Sequence, residues 1–274
     1  MADTWYSDDE PHAPKLQFRD WVRVVRRGVP LAVLVFGCLL ILLAVRLIEA
    51  PIYGQRRPLT PFITQFVCRN AFRILGMRYD IVGSVMQGPG AVVSNHVSWL
   101  DIFSLNAAQR IYFVSKAEVA SWPGIGWLAR ATGTVFVKRD RKDAANQVGI
   151  FQNRLESGHK LLFFPEGTST DGLQVVPFKP TLFAAFFSDN LRTTMRIQPM
   201  TVRYFPPNGE DPRFYGWWGT MDFGPHLFTT LAAKRQGGVR VTFHNPVYVR
   251  DYENRKHLSN ALEGIVRAGL SDDS

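Results

Sequence analysis

Cysteine is scarce in this chain: there are two, Cys38 and Cys68, and no CxxC pair. They make neither a disulfide framework nor a thiolate metal set, and such usage fits a reducing compartment. Acidic side chains are outnumbered, 23 against 32 Lys and Arg, leaving a net charge of +9. A negatively charged partner follows, whether nucleic acid, an anionic membrane or a phosphate-bearing small molecule. Dense basic arms are missing too, because the cations scatter from Arg19 to Arg267 in local pairs such as Arg26-Arg27 and Arg56-Arg57. No helix-turn-helix, RNP or zinc-finger signature accompanies them, which sets nucleic acid aside as a partner. There is no GxSxG elbow, so Ser94 and Ser98 read as a strand end and a helix cap. Nor is there an HExxH, so His96, Asp101, His159 and Glu166 are not read as a zinc site, and no metal is expected.

What is present begins with one long apolar run. Val29 to Val45 carries no charge, and Leu47 and Ile48 extend it before Glu49 and Pro51. That length is about the minimum for a membrane span and equally suits a segment dipping into one leaflet. A polar lead of residues 1–28 precedes it and no A-x-A pattern follows, which disfavours a signal peptide. After Pro58 and Pro61, the residues Leu59, Phe62, Ile63, Phe66, Val67, Ala71, Ile74 and Leu75 recur at helical spacing, with Gln65, Arg69 and Arg73 on the other face. Residues 29–76 are therefore expected to form a membrane-anchoring helical hairpin. Basic residues flank it on both sides, which suits entry and exit on one cytoplasmic face.

From residue 77 to 274 the pattern changes to short β-branched runs separated by helical stretches. Strands are predicted at Tyr79 to Val82, Ala91 to Ser94, Ile111 to Ser115, Thr134 to Lys138, Lys160 to Phe164, Arg196 to Arg203 and Val239 to Phe243. Helices are predicted at Asp143 to Glu156 and His257 to Ala268. This alternation argues for an α/β domain, a mostly parallel sheet flanked by helices. Pro206 to Gly224, with Phe214, Tyr215, Trp217 and Trp218, reads as a long loop suited to touching lipid.

The sharpest constellation is Ser94-Asn95-His96-Val97-Ser98-Trp99-Leu100-Asp101. An apolar strand delivers His96 to its end, the edge where α/β sheets bind ligands. Asp101, in the first turn of a helix starting near Ser98, can fold back onto His96 Nδ1. That would fix the tautomer in which Nε2 takes a proton from a hydroxyl. A second strand runs into Pro165-Glu166-Gly167-Thr168, whose carboxyl, amide and hydroxyl suit polar headgroup atoms or an oxyanion. Between them Gly133 to Val137 ends in Lys138 and Arg139, with Arg141 close behind, a set suited to phosphate.

Taken in order, Asn95-His96-x-Ser98-Trp99-x-Asp101, Gly133-x-x-Phe136-x-x-Arg139, Phe164-Pro165-Glu166-Gly167-Thr168 and Gln198-Pro199-Met200 resemble four blocks of the glycerolipid acyltransferase family. Its best-known member is lysophosphatidate (1-acylglycerol-3-phosphate) acyltransferase, and the resemblance covers roughly Tyr79 to Tyr204. It implies a membrane-bound O-acyltransferase acting on lysolipids, with His96 as general base and Asp101 as its orienting partner. Lys138, Arg139, Glu166, Gly167 and Thr168 would hold the acceptor. The implied donor is acyl-CoA or acyl-carrier protein, with no cofactor, no metal and no acyl-enzyme. One position departs from the pattern: the family usually has Arg after Glu-Gly-Thr, and here Ser169 stands there. Lys179, in Pro177-Phe178-Lys179-Pro180, is the candidate replacement. Phosphatidate is the first expected product, and acylation of a lyso-ornithine lipid the second. A non-catalytic basic membrane scaffold is the rival of another class, and retention of both His96 and Asp101 argues against it.

Overall fold

The computed structural model describes residues 4–7, 9, 14–122, 124–137 and 144–271. Two helices, α1 (Phe18–Tyr53) and α2 (Thr60–Leu75), come first. Then follow β1 (Arg78–Val82), β2 (Gly90–Ser94), α3 (Asp101–Ala108), β3 (Tyr112–Lys116), α4 (Ile125–Thr132), β4 (Val135–Val137), α5 (Ala144–Glu156) and β5 (Lys160–Phe163). The chain ends with α6 (Asp189–Arg192), β6 (Arg196–Phe205), α7 (Phe223–Ala232), β7 (Gly238–Phe243), β8 (Val247–Tyr248) and α8 (Arg255–Ser271).

The strands form one sheet in the order β1-β7-β6-β2-β5-β3-β4, with β8 pairing β6. From β6 to β4 all neighbours are parallel. Only β7 and β8 run antiparallel to β6, and β1 follows β7. The expected mostly parallel sheet flanked by helices is thus the fold. All five residues of β2 are buried, as a central strand covered on both faces requires. Successive side chains alternate sides. Val92 joins a core with Phe72 and Leu75 of α2 and Leu105 of α3, whereas Ala91 and Val93 join Phe151 of α5 and Leu258 and Leu262 of α8.

Helix α1 runs residues 18–28 and the apolar segment into one element. The Gln17 amide donates to Asp20 Oδ2 at 2.7 Å, which caps it early. Arg23 and Arg27 then donate to the carbonyls of Leu231, Ala232 and Ala233 at the C-terminal end of α7, where helix carbonyls lack partners. Among the described residues α1 alone is long and apolar enough to cross a membrane, judged by length and composition. Its buried stripe, Val24, Arg27, Leu31, Leu42 and Glu49, follows the domain surface, and Val33, Leu40 and Leu47 lie exposed on other faces. Helix α2 starts with Pro61 in its first turn, where a missing N–H costs nothing, and ends at Gly76, whose φ of 73° suits a left-handed cap.

The loop after β6 corrects one expectation. Tyr215 and Trp218 are buried, and the Tyr215 hydroxyl donates to Gln236 Oε1 at 2.8 Å while accepting the Gly237 amide at 2.9 Å. These rings fill the core rather than meet lipid, and the buried Tyr215 hydroxyl finds its partners in Gln236 and Gly237, just before β7.

Candidate active site

From the end of β2 the chain continues into α3 on one face of the sheet, and from the end of the adjacent β5 it continues to Phe183 and Phe186 on the other. Divergence of neighbouring connections opens a crevice at the carboxyl ends of the strands. His96 sits there, two residues past the last residue of β2. Asn95 makes the exit possible: its side chain accepts from the Val202 amide at 2.8 Å and donates to the Val202 carbonyl at 2.9 Å, replacing ladder bonds that β2 gives up on leaving β6.

Asp101 folds back as expected. Its Oδ2 accepts from His96 Nδ1 at 2.7 Å, from the Val97 amide at 2.7 Å and from the Ser98 amide at 3.0 Å. Helix α3 begins at Asp101 itself, three residues later than Ser98, so the carboxylate of its first residue reaches back to hold both the loop amides and the imidazole. A carboxylate that already accepts two amides requires Nδ1 to be the protonated nitrogen, which leaves Nε2 with its lone pair. The His96 side chain is 23% exposed and Asp101 fully buried. Phe164 stacks on the imidazole at 4.0 Å and fixes the ring plane.

Glu166 is turned inward. Its two oxygens accept from the His96 amide at 2.7 Å and the Val176 amide at 3.0 Å. Burial pushes its carboxyl up to about 8, against the lowering effect of those two amides, and the charge of Asp101 adds to the rise. The Gly167 amide donates to the Phe164 carbonyl at 3.1 Å, closing the turn. The Thr168 hydroxyl accepts from the Trp5 amide and donates to the Ser169 carbonyl, each at 3.1 Å. The Glu-Gly-Thr turn is thus brought against the His96 loop by hydrogen bonds within the protein. The Lys179 amide donates to the Pro165 carbonyl at 2.9 Å, so the 177–180 stretch lies alongside the same turn, and Ser169 is half-buried in it. Lys138, Arg139 and Arg141 lie outside the described residues. His159 is stacked on Tyr112, the first residue of β3, at the opposite end of the strands from His96.

A family model described as Acyltransferase matches residues 78–203, the stretch that holds this crevice. The lyso-ornithine lipid O-acyltransferase of Rhodobacter capsulatus is 54% identical over 272 residues, covering 98% of each chain. This chain belongs to the acyltransferase family. A second relative, the 1-acyl-sn-glycerol-3-phosphate acyltransferase of Neisseria meningitidis, is 30% identical over 185 residues, 67% of this chain and 70% of its own. The crystal structure of the 1-acyl-sn-glycerophosphate acyltransferase PlsC from Thermotoga maritima superposes with a TM-score of 0.64 over 92% of this chain and 96% of that one. At 18% identity that likeness concerns the fold. As a member of the family this chain is an O-acyltransferase of the lysolipid type, working in lipid biosynthesis on lipid substrates and an acyl donor.

Several residues that hold this acyltransferase's crevice together were invisible to motif spacing. Tyr204, at the far end of β6, donates its hydroxyl to Asp101 Oδ1 at 2.8 Å. The Thr170 amide holds the His96 carbonyl at 3.0 Å, and the Trp217 amide holds the Val97 carbonyl at 2.9 Å. Nothing local to Tyr204, Thr170 or Trp217 announces these bonds, since each spans more than 70 residues.

Proposed function

We propose that this acyltransferase transfers a fatty acyl group from acyl-CoA or acyl-carrier protein to the free hydroxyl of a lyso-ornithine lipid. His96 Nε2 removes the proton of the acceptor hydroxyl as its oxygen attacks the thioester carbonyl. The tetrahedral intermediate then collapses, the C–S bond breaks, and the thiolate leaves with the proton from His96. Asp101 stabilises the transient imidazolium and keeps Nε2 aimed outward. Glu166 serves by clamping the His96 amide; Gly167, Thr168, Ser169 and Lys179 frame the acceptor side, and Lys138 and Arg139 are assigned to the acceptor from the sequence pattern alone.

The observation that carries the choice of acceptor is Ser169, which takes the place of the arginine that usually follows Glu-Gly-Thr in this family. An ornithine headgroup sets an ammonium beside its carboxylate and is neutral overall, so it calls for less positive charge than a phosphate monoester. The Rhodobacter capsulatus relative, which matches along nearly the whole chain, supports the same acceptor. Lysophosphatidate, first among the expectations from sequence, becomes the second reading. The deciding experiment supplies membranes containing the enzyme with labelled acyl-CoA or acyl-carrier protein and a panel of lysolipids. Diacylated ornithine lipid is the expected main product, and faster formation of phosphatidate would reverse the order.

Helix α1 belongs to the same reading. Arg23 and Arg27 bind one of its ends to α7, and Glu49 binds the other to the start of α2 through the Leu59 and Thr60 amides. Arg57, in the turn between α1 and α2, also donates to the Ala131 carbonyl of α4, so both ends of α1 are held to the domain. That supports an anchor lying in a single leaflet, while the basic residues on both sides of the apolar run support a domain on the cytoplasmic face.

A further inference from the structure

At the other end of the strands from His96 lies a second concavity, a cavity of about 680 Å³ between the α1–α2 turn and the beginnings of β3 and β5. Its lining is cationic: Arg56, Arg57, Arg69, Arg110 and Lys160, with His159 beside them. Among the described residues none of the five cations has a carboxylate within 4.0 Å. Glu49, which acts on Arg57 from a distance, is committed to Arg46, Leu59 and Thr60. Several of the cations do have local supports. Arg57 donates to the Ala131 carbonyl, Arg69 to the Ala107 carbonyl, Lys160 to the Met86 carbonyl, and Arg110 lies over the Phe62 ring at 4.1 Å. These contacts hold the groups in place without neutralising their charge.

Repulsion is therefore uncompensated. The Lys160 ammonium is pushed down by burial and by Arg110 and Arg196, and burial with Arg154 and Arg57 brings His159 down to about 3. His159 is 4% exposed, and neither of its ring nitrogens has a partner in hydrogen-bonding geometry, although a backbone group of Gln55 lies near. Gln109, also 4% exposed and on the same wall, has an unpartnered Oε1. Buried polar atoms left this way in a cationic cavity await a ligand that carries both negative oxygens and a donor. Exposed apolar side chains adjoin the lining in sequence: Ile52 precedes Tyr53, Leu59 lies between Pro58 and Pro61, Phe62 carries Arg110 on its ring, and Phe66 follows Gln65.

We propose that this cavity binds the phosphate of an anionic membrane lipid, with the headgroup among the five cations and the acyl chains along the exposed face of α1 and α2. The site is separate from the His96 crevice and serves attachment rather than chemistry, so it stands or falls independently of the acceptor assignment. Phosphate chemistry alone also admits a soluble source, but the adjoining exposed apolar side chains favour the lipid.

The test uses the full chain and vesicles of phosphatidylcholine with or without phosphatidylglycerol. Wild type is expected to prefer the anionic vesicles, and Arg56→Gln with Arg110→Gln, both exposed and tolerable to the fold, to weaken that preference about fivefold per cation. Arg73→Gln with Arg78→Gln, which removes the same charge outside the cavity, is expected to keep it. His96→Ala is expected to keep it as well, which separates this site from catalysis. Equal losses in the two double variants, or no preference in wild type, would overturn the proposal. So would the soluble source, recognised when inorganic phosphate in detergent raises the melting temperature of wild type but not of the cavity variant, while wild type and both double variants bind vesicles alike.

Discussion

The Tyr204 hydroxyl donates to Asp101 Oδ1 at 2.8 Å while Asp101 Oδ2 receives His96 Nδ1 at 2.7 Å, so each oxygen of the buried carboxylate has a separate duty. Burial and the charge of Asp101 hold the Tyr204 phenol well above its ordinary range, so it stays protonated and able to donate to Asp101. Tyr204 reaches this position because β6 runs on past Met200, the partner of Ser94 at the end of β2.

Replacing His96 by Ala removes the proposed base from a partly exposed site and opens no cavity in the core. Acyl transfer should fall about 10²–10⁴-fold with the melting temperature nearly kept. Steady-state turnover and thermal unfolding measured on the same sample check this; turnover near wild type would remove His96 from the chemistry.

Asp101→Asn keeps the shape but makes the carboxylate neutral. The imidazolium then loses its counter-charge, and a drop of about 10⁴-fold is expected by analogy with the serine-protease aspartate. Single-turnover rates with saturating lysolipid are the measure. An effect under about tenfold would assign Asp101 to holding the Val97 and Ser98 amides alone.

Tyr204→Phe leaves Asp101 Oδ1 buried without a donor. That costs about 1–3 kcal/mol of stability, read as a lower urea midpoint at unchanged slope. Turnover should fall less than in the Asp101 variant, since Oδ2 still holds the imidazole. A midpoint equal to wild type would mean that another donor reaches Oδ1.

Glu166 gives the protein a pH dependence of definite sign. With its carboxyl raised from 4.5 to about 8, the folded chain keeps a proton that the unfolded chain has released between those values. Its contribution to stability therefore declines as pH rises from about 5 to about 8 and is level on either side. Glu166→Gln cannot ionise and should show a shallower decline in urea midpoint across that window. An identical slope in the variant would exclude Glu166 as its source.

Ser169→Arg restores the cation that the family usually carries after Glu-Gly-Thr. The ratio of kcat/KM for lysophosphatidate to that for lyso-ornithine lipid should rise about tenfold, the worth of a charge-assisted hydrogen bond. Competition between the two acceptors in one reaction reads this directly. An unmoved ratio would place the specificity elsewhere in the crevice.

Sequence alone determined the elements whose cause is local. The uncharged run from Val29 to Val45, the alternating strands, and the short span from His96 to Asp101 each announce themselves, because hydrophobic period and short-range reach depend only on neighbouring residues. For the same reason the His96–Asp101 contact could be foreseen. Tertiary structure decided whatever depends on residues distant along the chain. It turned Glu166 inward onto the His96 and Val176 amides, and it set Tyr204 behind Asp101. It packed Tyr215 and Trp218 into the core, and it gathered Arg56, Arg110 and Lys160 from three separate segments around one cavity. No spacing rule encodes these choices, since strand order and register alone bring such residues together and burial then dictates which polar groups must find partners.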